Sequence, residues 1–203
     1  MAALGAFETF MNADTPNIPP LIKAGLLHVQ FESIHPFLDG NGRLGRLLVA
    51  LFLCAQGIMR EPLLYLSLYL KTHRADYDRL LQEVRERGAW EAWLEFFLTG
   101  VAATANEAFE SATRIAALLA GDQQRISAAG ERTGSALQLH DAMKTSPSIT
   151  APQMVKQTGL TMPTVNAALK QLAKLGVIHE ITGKKRGRVF AYAQYLEILR
   201  AGN

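Results

Sequence analysis

Five residues able to do chemistry lie within twelve positions: His35, Asp39, Asn41, Arg43 and Arg46, in the stretch His35-Pro36-Phe37-Leu38-Asp39-Gly40-Asn41-Gly42-Arg43-Leu44-Gly45-Arg46. An imidazole titrates near neutral pH and can take a proton from an attacking hydroxyl. The Asp39 carboxylate is a hard oxygen ligand suited to a magnesium ion that bridges phosphates. Asn41 and the backbone N–H groups around Gly40 and Gly42 can cradle one phosphate, because glycine lets the anion approach the backbone closely. Arg43 and Arg46 are three apart, share a helix face and can clamp further phosphates. Positioning, charge neutralisation and one base are the parts that nucleotide transfer from a triphosphate needs.

The elements around the loop decide whether it can work. The run Leu47–Ala55 is apolar throughout and reads as a buried helix. The polar loop therefore opens a helix, where free N–H groups and the helix dipole favour an anion. Gly40-x-Gly42-x-x-Gly45 also satisfies the dinucleotide fingerprint. That reading is rejected: it needs a buried strand entering the first glycine, and Pro36 stands in the way. Glu61 near the expected acidic position does not rescue it. A Walker phosphate loop is excluded because no Gly-Lys-Ser/Thr follows.

Of the 203 residues, 49% are hydrophobic, which is ample for a core. The single cysteine, Cys54, rules out a disulfide framework and fits a reducing cytosol. No basic, apolar leader opens the chain, and the apolar run after the loop is far short of a bilayer crossing. A cytoplasmic protein with no membrane partner is expected. Charge is uneven: residues 1–120 carry net −3 and residues 121–203 net +6. A basic tail behind an acidic front points to nucleic acid as a partner of the tail.

Periodicity places a helix end over residues 1–12 and a second helix from Pro20, with Leu21, Ile22, Gly25, Leu26, Val29 and Phe31 on one face. Gly57 is a candidate helix stop. Leu63–Thr72 and Arg74–Arg87 read as further helices, and Trp90, Trp93, Phe96 and Phe97 as core on the next. Val101 to about Gln124 reads as a connecting helix, with a boundary over residues 127–134. Arg60 and Glu61 read as a solvated connection. His28, His73, His140 and His179 lack metal-ligand spacing and read as surface or core residues.

In the tail, a helix carries Leu137, Leu139 and Met143, Ser148–Thr150 is a short connection, and Ala151–Gln157 is a second helix. Thr161 caps a third helix with Val165, Ala168, Leu169, Leu172 and Leu175 inward. Val177–Thr182 alternates as a strand, residues 183–187 turn, and Arg188–Tyr192 returns. Three helices followed by a hairpin with a basic tip is a winged helix-turn-helix pattern. Its candidate DNA-binding residues are Thr161, Thr164, Asn166 and Lys170 on the third helix, and Lys184, Lys185, Arg186 and Arg188 on the wing.

The twelve-residue stretch from His35 to Arg46 resembles the signature of the Fic family, protein adenylyltransferases with an all-helical core. Pro20-Leu21-Ile22, the His28–Ile34 lead-in, and Tyr77 through Trp93 with Phe96-Phe97-Leu98 are similar to the family's flanks, so the likeness covers roughly residues 1–110. It implies that His35 deprotonates a Tyr, Thr or Ser hydroxyl of a target protein. That hydroxyl attacks the α-phosphorus of ATP and pyrophosphate leaves. Asp39 would hold Mg2+, Asn41 and its backbone neighbours would form the anion hole, Arg43 would bind the distal phosphates, and Arg46 the γ-phosphate. Phe37 would anchor the loop in the core. The family's upstream β-hairpin flap and its inhibitory Ser/Thr-x-x-x-Glu-Gly/Asn motif find no counterpart in these residues, and Asp78 follows Tyr77 where a second aromatic often stands.

The expectation is thus a mainly α protein. A Fic-like helical core over residues 1–110 is followed by a connecting helix and linker over 111–135. A winged-helix domain over 136–203 then serves DNA or partner binding. A homodimer is a candidate assembly. The alternative is a DNA-binding regulator whose core binds nucleotide without transfer, and a third reading is removal of AMP or use of another phosphate-containing donor.

Overall fold

The computed structural model describes residues 2–61, 65–130 and 133–201. The fold is mainly α with one small sheet. It divides into two compact units, Met1–Ala108 and Phe109–Asn203.

In the first unit, α1 (Ala2–Asn12), α3 (Asn41–Ala55), α4 (Leu66–Thr72) and α5 (Arg74–Arg87) pack with α2 (Pro20–Ile34) and the start of α6 (Trp90–Ser127). Helix α2 is the centre. It buries Lys23, Ala24, Gly25, Leu27, His28, Val29, Phe31 and Glu32, so it is covered on most sides and not along one stripe as its apolar spacing suggests. Its N-terminus follows the proline expectation, with Pro20 in the first turn. The core joins Leu27, Val29 and Phe31 to Val49, Phe52 and Leu53 of α3, Leu80 and Leu81 of α5, and Trp93 and Phe97 of α6. The indole N–H of Trp93 donates to the Gly25 carbonyl at 3.0 Å, which satisfies a donor that burial would otherwise strand.

Several expectations change. Helix α3 is not buried throughout: Leu44, Leu47 and Leu51 are exposed, and Val49, Phe52 and Leu53 face the core. Trp90 is 39% exposed at the start of its helix and is not core. The aromatic segment and the alanine-rich segment form one continuous helix, since no proline interrupts the run. The helix expected from Leu63 begins at Leu66 among the described residues; residues 62–64 lie outside them. Of the boundary over 127–134, residues 131–132 lie outside them too, and helical structure resumes at Thr133.

In the second unit, α7 (Thr133–Thr145), α8 (Ala151–Thr158) and α9 (Met162–Lys174) enclose Leu139, Met143, Met154, Val165, Leu169 and Leu172. Ser148–Thr150 is a strand, β1, where a connection was expected. With β2 (His179–Glu180) and β3 (Val189–Ala191) it forms an antiparallel sheet in the order β1-β3-β2, with Ile149 and Glu180 both opposite Phe190. Of the strand expected over Val177–Thr182 only His179–Glu180 forms β2: Val177 and Ile178 are buried, and the Val177 N–H bonds back to Leu172 O at 3.0 Å. Thr150 and Gln153 make a reciprocal capping box at α8. Thr161 holds the N-cap position of α9, but its hydroxyl pairs with Thr164 Oγ1 at 2.8 Å and caps no backbone N–H. A last helix, α10 (Ala193–Ala201), was not anticipated.

Candidate functional site

The loop between α2 and α3 is shaped by its ends. Helix α2 stops at His35, whose N–H makes the last helical bond to Phe31 O at 3.0 Å. Pro36 disfavours continuation of the right-handed helix, and His35 takes a left-handed conformation with φ 49° and ψ 57°. Such a backbone is strained for a non-glycine residue and fixes where the imidazole leaves the chain. Helix α3 then follows Gly40, which holds the N-cap position with φ 83°, and no side chain caps it. Its first-turn N–H groups stay open toward the loop.

Asn41 is 2% exposed. Its Nδ2 donates to Phe37 O at 2.6 Å and its Oδ1 accepts from Phe37 N at 3.0 Å. The side chain expected to cradle a phosphate thus clasps the loop, with its amide nitrogen and oxygen both engaged by Phe37. Phe37 is 51% exposed, so its ring does not anchor the loop in the core; it meets Phe31 at a centroid distance of 6.5 Å, and its main chain carries the anchoring.

His35, Leu38, Asp39, Gly40, Asn41, Gly42, Arg43 and Arg46 line one cavity of about 300 Å³. Every candidate of the first unit is therefore brought to the same place. Arg46 is held by Ser67, to whose Oγ its Nε donates at 2.9 Å. Arg43 meets Asp39 at 3.5 Å across an exposed surface, a weak pair that an incoming phosphate can displace. Asp39 Oδ1 accepts the Gly40 N–H at 2.6 Å. Among the described residues no group of three acidic, His or Cys side chains could hold a metal. One exposed carboxylate fits magnesium only where phosphate oxygens and water complete the shell, as is usual for that ion. A larger cleft of about 740 Å³, between the Asn12–Pro20 loop and α3, lacks such a constellation. Its Lys23 amine is committed to Ala13 O at 2.7 Å.

Behind the loop lies a polar layer that sequence reasoning passed over. His28 is fully buried; its Nε2 is 3.0 Å from the Tyr77 hydroxyl, and its ring stacks on Trp93 at 5.7 Å. Burial first, and then the Arg46 charge, push the His28 pKa down to about 4, while its Nδ1 is buried without a hydrogen-bond partner. Its imidazole is neutral at pH 7. Tyr77 is pushed up, mainly by burial and then by the Glu32 charge. Glu32 is 7% exposed, and its Oε1 has no hydrogen-bond partner. Burial raises its pKa, with His35, Arg46 and Arg85 opposing. The signal was in the spacing: His28 and Glu32 are four apart on one face of a helix rich in apolar residues.

In the second unit, Asn166 and Lys170 of α9 and Lys185 and Arg188 of the hairpin line one groove of about 730 Å³, with Glu180 and Phe190. Thr161, Thr164, Lys184 and Arg186 are not part of its lining. Glu180 organises the hairpin tip: its carboxylate accepts from the Thr182 hydroxyl, from Thr182 N at 2.8 Å and from Gly183 N at 3.1 Å. The Thr182 bonds, its hydroxyl first, hold the Glu180 pKa down. Below the sheet, Tyr192 donates to Asp122, which also takes the Arg125 guanidinium, and the His140 Nε2 lies 3.4 Å from the same hydroxyl. No sequence motif marks that network.

Residues 1–53 match the model of the Fic/DOC family, about half of the span over which the resemblance was expected. A Fido domain-containing protein of Dictyostelium discoideum is 54% identical over 43 residues, covering 21% of this chain and 29% of that protein. The protein adenylyltransferases Fic of Drosophila grimshawi and Drosophila mojavensis are each 42% identical over 52 residues, 25% of this chain and 11% and 10% of those proteins. The matches therefore span under a third of the curated relatives' length. A solved Fic family protein from Desulfovibrio desulfuricans is 21% identical, with a TM-score of 0.49, over 94% of this chain and 54% of that one. Among the described residues no helix is long and apolar enough to cross a membrane.

Proposed function

We propose that the first unit is the nucleotide-binding and catalytic part of a protein adenylyltransferase, and that the second is a winged-helix module that contacts DNA. The observation that carries the first half is the single cavity shared by His35, Arg43, Arg46 and the uncapped start of α3. The Fic/DOC match over residues 1–53, which contains the whole loop, supports it.

In this reading ATP lays its phosphates over the first turn of α3. The backbone N–H groups and the two guanidiniums neutralise charge that grows as the bond to the leaving group lengthens. His35 takes the proton of a Tyr, Thr or Ser hydroxyl on the target protein. The hydroxyl oxygen forms a bond to the α-phosphorus, the bond from that phosphorus to the pyrophosphate oxygen breaks, and pyrophosphate departs. Asp39 and the phosphate oxygens would hold magnesium, which supplies further charge neutralisation when bound. Asn41 acts by keeping the loop closed. Removal of AMP would be a different displacement at the same phosphorus: water forms the new bond, the bond from phosphorus to the target's oxygen breaks, AMP departs and the target hydroxyl takes the proton.

The groove of the second unit favours the DNA half. Three cations from two elements converge on one concave face, and the net charge of +6 over residues 121–203 points the same way. Incubation with ATP labelled at the α-phosphate, comparing the chain with His35→Ala, tests the enzymatic half. Protein-bound label that disappears with His35→Ala supports transfer. Nucleotide binding without label points to the regulator instead.

A further inference from the structure

The proposed chemistry leaves Glu32 unused, and its setting is unusual for a carboxylate. It is 7% exposed, and Oε1 is buried without a hydrogen-bond partner. A Cβ placed on Gly45 would lie 2.8 Å from that oxygen, and one on Gly42 would lie 3.8 Å from it. The same Gly42 position is 3.1 Å from Nη1 of Arg46. Carboxylate and guanidinium thus flank the first turn of α3, with Glu32 on its inner side and Arg46 on the cavity side. The other groups facing Glu32 are His28 of its own helix, His35 at that helix's end, and Tyr77 and Arg85 of α5. Arg85 is occupied elsewhere, donating to Glu32 O at 2.9 Å and Ser33 Oγ at 3.2 Å.

We infer that Glu32 is a positioning residue that acts through Arg46: its buried charge holds the guanidinium against the first turn of α3 and sets how tightly the cavity takes a polyphosphate. The inference rests on the reading of that cavity as a phosphate site. An anion arriving from the cavity side meets the same helix terminus and the guanidinium that lies across Gly42 from Glu32, with which the carboxylate makes no direct ion pair. Two negative charges then compete for one cation in a partly dry environment, where Coulomb energies are not screened away. The carboxylate weakens ground-state binding and, together with the Ser67 hydrogen bond, narrows the positions open to the arginine.

Equilibrium binding of ATP, followed by calorimetry on the full chain, tests this without any target protein. Glu32→Gln keeps the shape and removes the charge; it is expected to bind ATP about tenfold more tightly, the scale of one unit charge acting at this range. Glu32→Asp keeps the charge and stays close to the parent affinity. In an Arg46→Ala background the gain from Glu32→Gln shrinks to under about threefold, which places the coupling on that pair. Lowering the pH narrows the gap between the parent and Glu32→Gln, because burial favours the protonated carboxyl. Unchanged or weaker binding by a natively folded Glu32→Gln overturns the inference, as does a full gain in the Arg46→Ala background. Absence of ATP binding by both parent and variant removes the phosphate-site reading along with it. Binding as described with no label transfer leaves the inference standing and removes only the transferase.

Discussion

Asn41 clasps Phe37 from both sides, its amide nitrogen donating to the Phe37 carbonyl at 2.6 Å and its amide oxygen accepting the Phe37 N–H at 3.0 Å. An amide is the side chain that carries a donor and an acceptor in this fork. Asn41→Asp loses the donor and Asn41→Ala loses both, leaving two part-buried backbone groups of Phe37 without this partner. The expected cost is about 1–3 kcal/mol for Asn41→Ala, together with loss of ATP binding as the loop opens. Thermal unfolding and calorimetry check this; a variant that melts lower yet binds ATP as the parent does would show that the clasp is not what shapes the site.

The buried His28 makes stability depend on pH. Its pKa is about 4 in the folded chain against 6.5 when unfolded, so the unfolded chain binds more protons between those values. Stability therefore falls as pH drops through that window, by up to about 1.4 kcal/mol per unit and roughly 3 kcal/mol in all. Glu32, raised by burial above the ordinary carboxylate range, acts with the opposite sign there. Denaturant unfolding at pH 7 and pH 4.5 should show the loss, and His28→Gln should flatten it even though that variant starts lower without its Tyr77 partner. An equal acid slope in His28→Gln would assign the effect to other groups.

For the second unit, Lys170, Lys185 and Arg188 line the groove, whereas Lys184 and Arg186 do not. If the groove tracks a DNA backbone, Lys185→Ala combined with Arg188→Ala should reduce the slope of log affinity against log salt by about 2. Thr164→Ala should leave that slope unchanged. Fluorescence anisotropy on a short duplex over a salt series reads both. A slope indifferent to the double change would turn attention to a protein partner.

The mainly α class and the loop were legible because they rest on local signals: helical spacing, proline at a first turn, and a run of glycines with charged neighbours. What escaped depends on contacts far apart in sequence. Nothing near Asn41 shows that its amide turns back on Phe37, and nothing near Phe37 shows that its ring stays half outside. His28 meets Tyr77 across 49 positions, and Tyr192 meets Asp122 across 70. Strand β1 is three residues long and gains its identity from pairing with β3, so its own composition could not announce it. The stripe on α3 misled because leucine reads as core wherever it stands, although Leu44, Leu47 and Leu51 are exposed here.

The central claim is that His35 takes a proton for transfer of AMP at the cavity it shares with Arg46. Parallel reactions with ATP labelled at the α-phosphate or at the γ-phosphate, run in cell lysate with the parent chain and with His35→Ala, test it most directly. The account predicts protein-bound label from the α-position alone, released pyrophosphate, and no label with His35→Ala although that variant still binds ATP. Label that enters protein from the γ-position, or α-label that persists in His35→Ala, would contradict it.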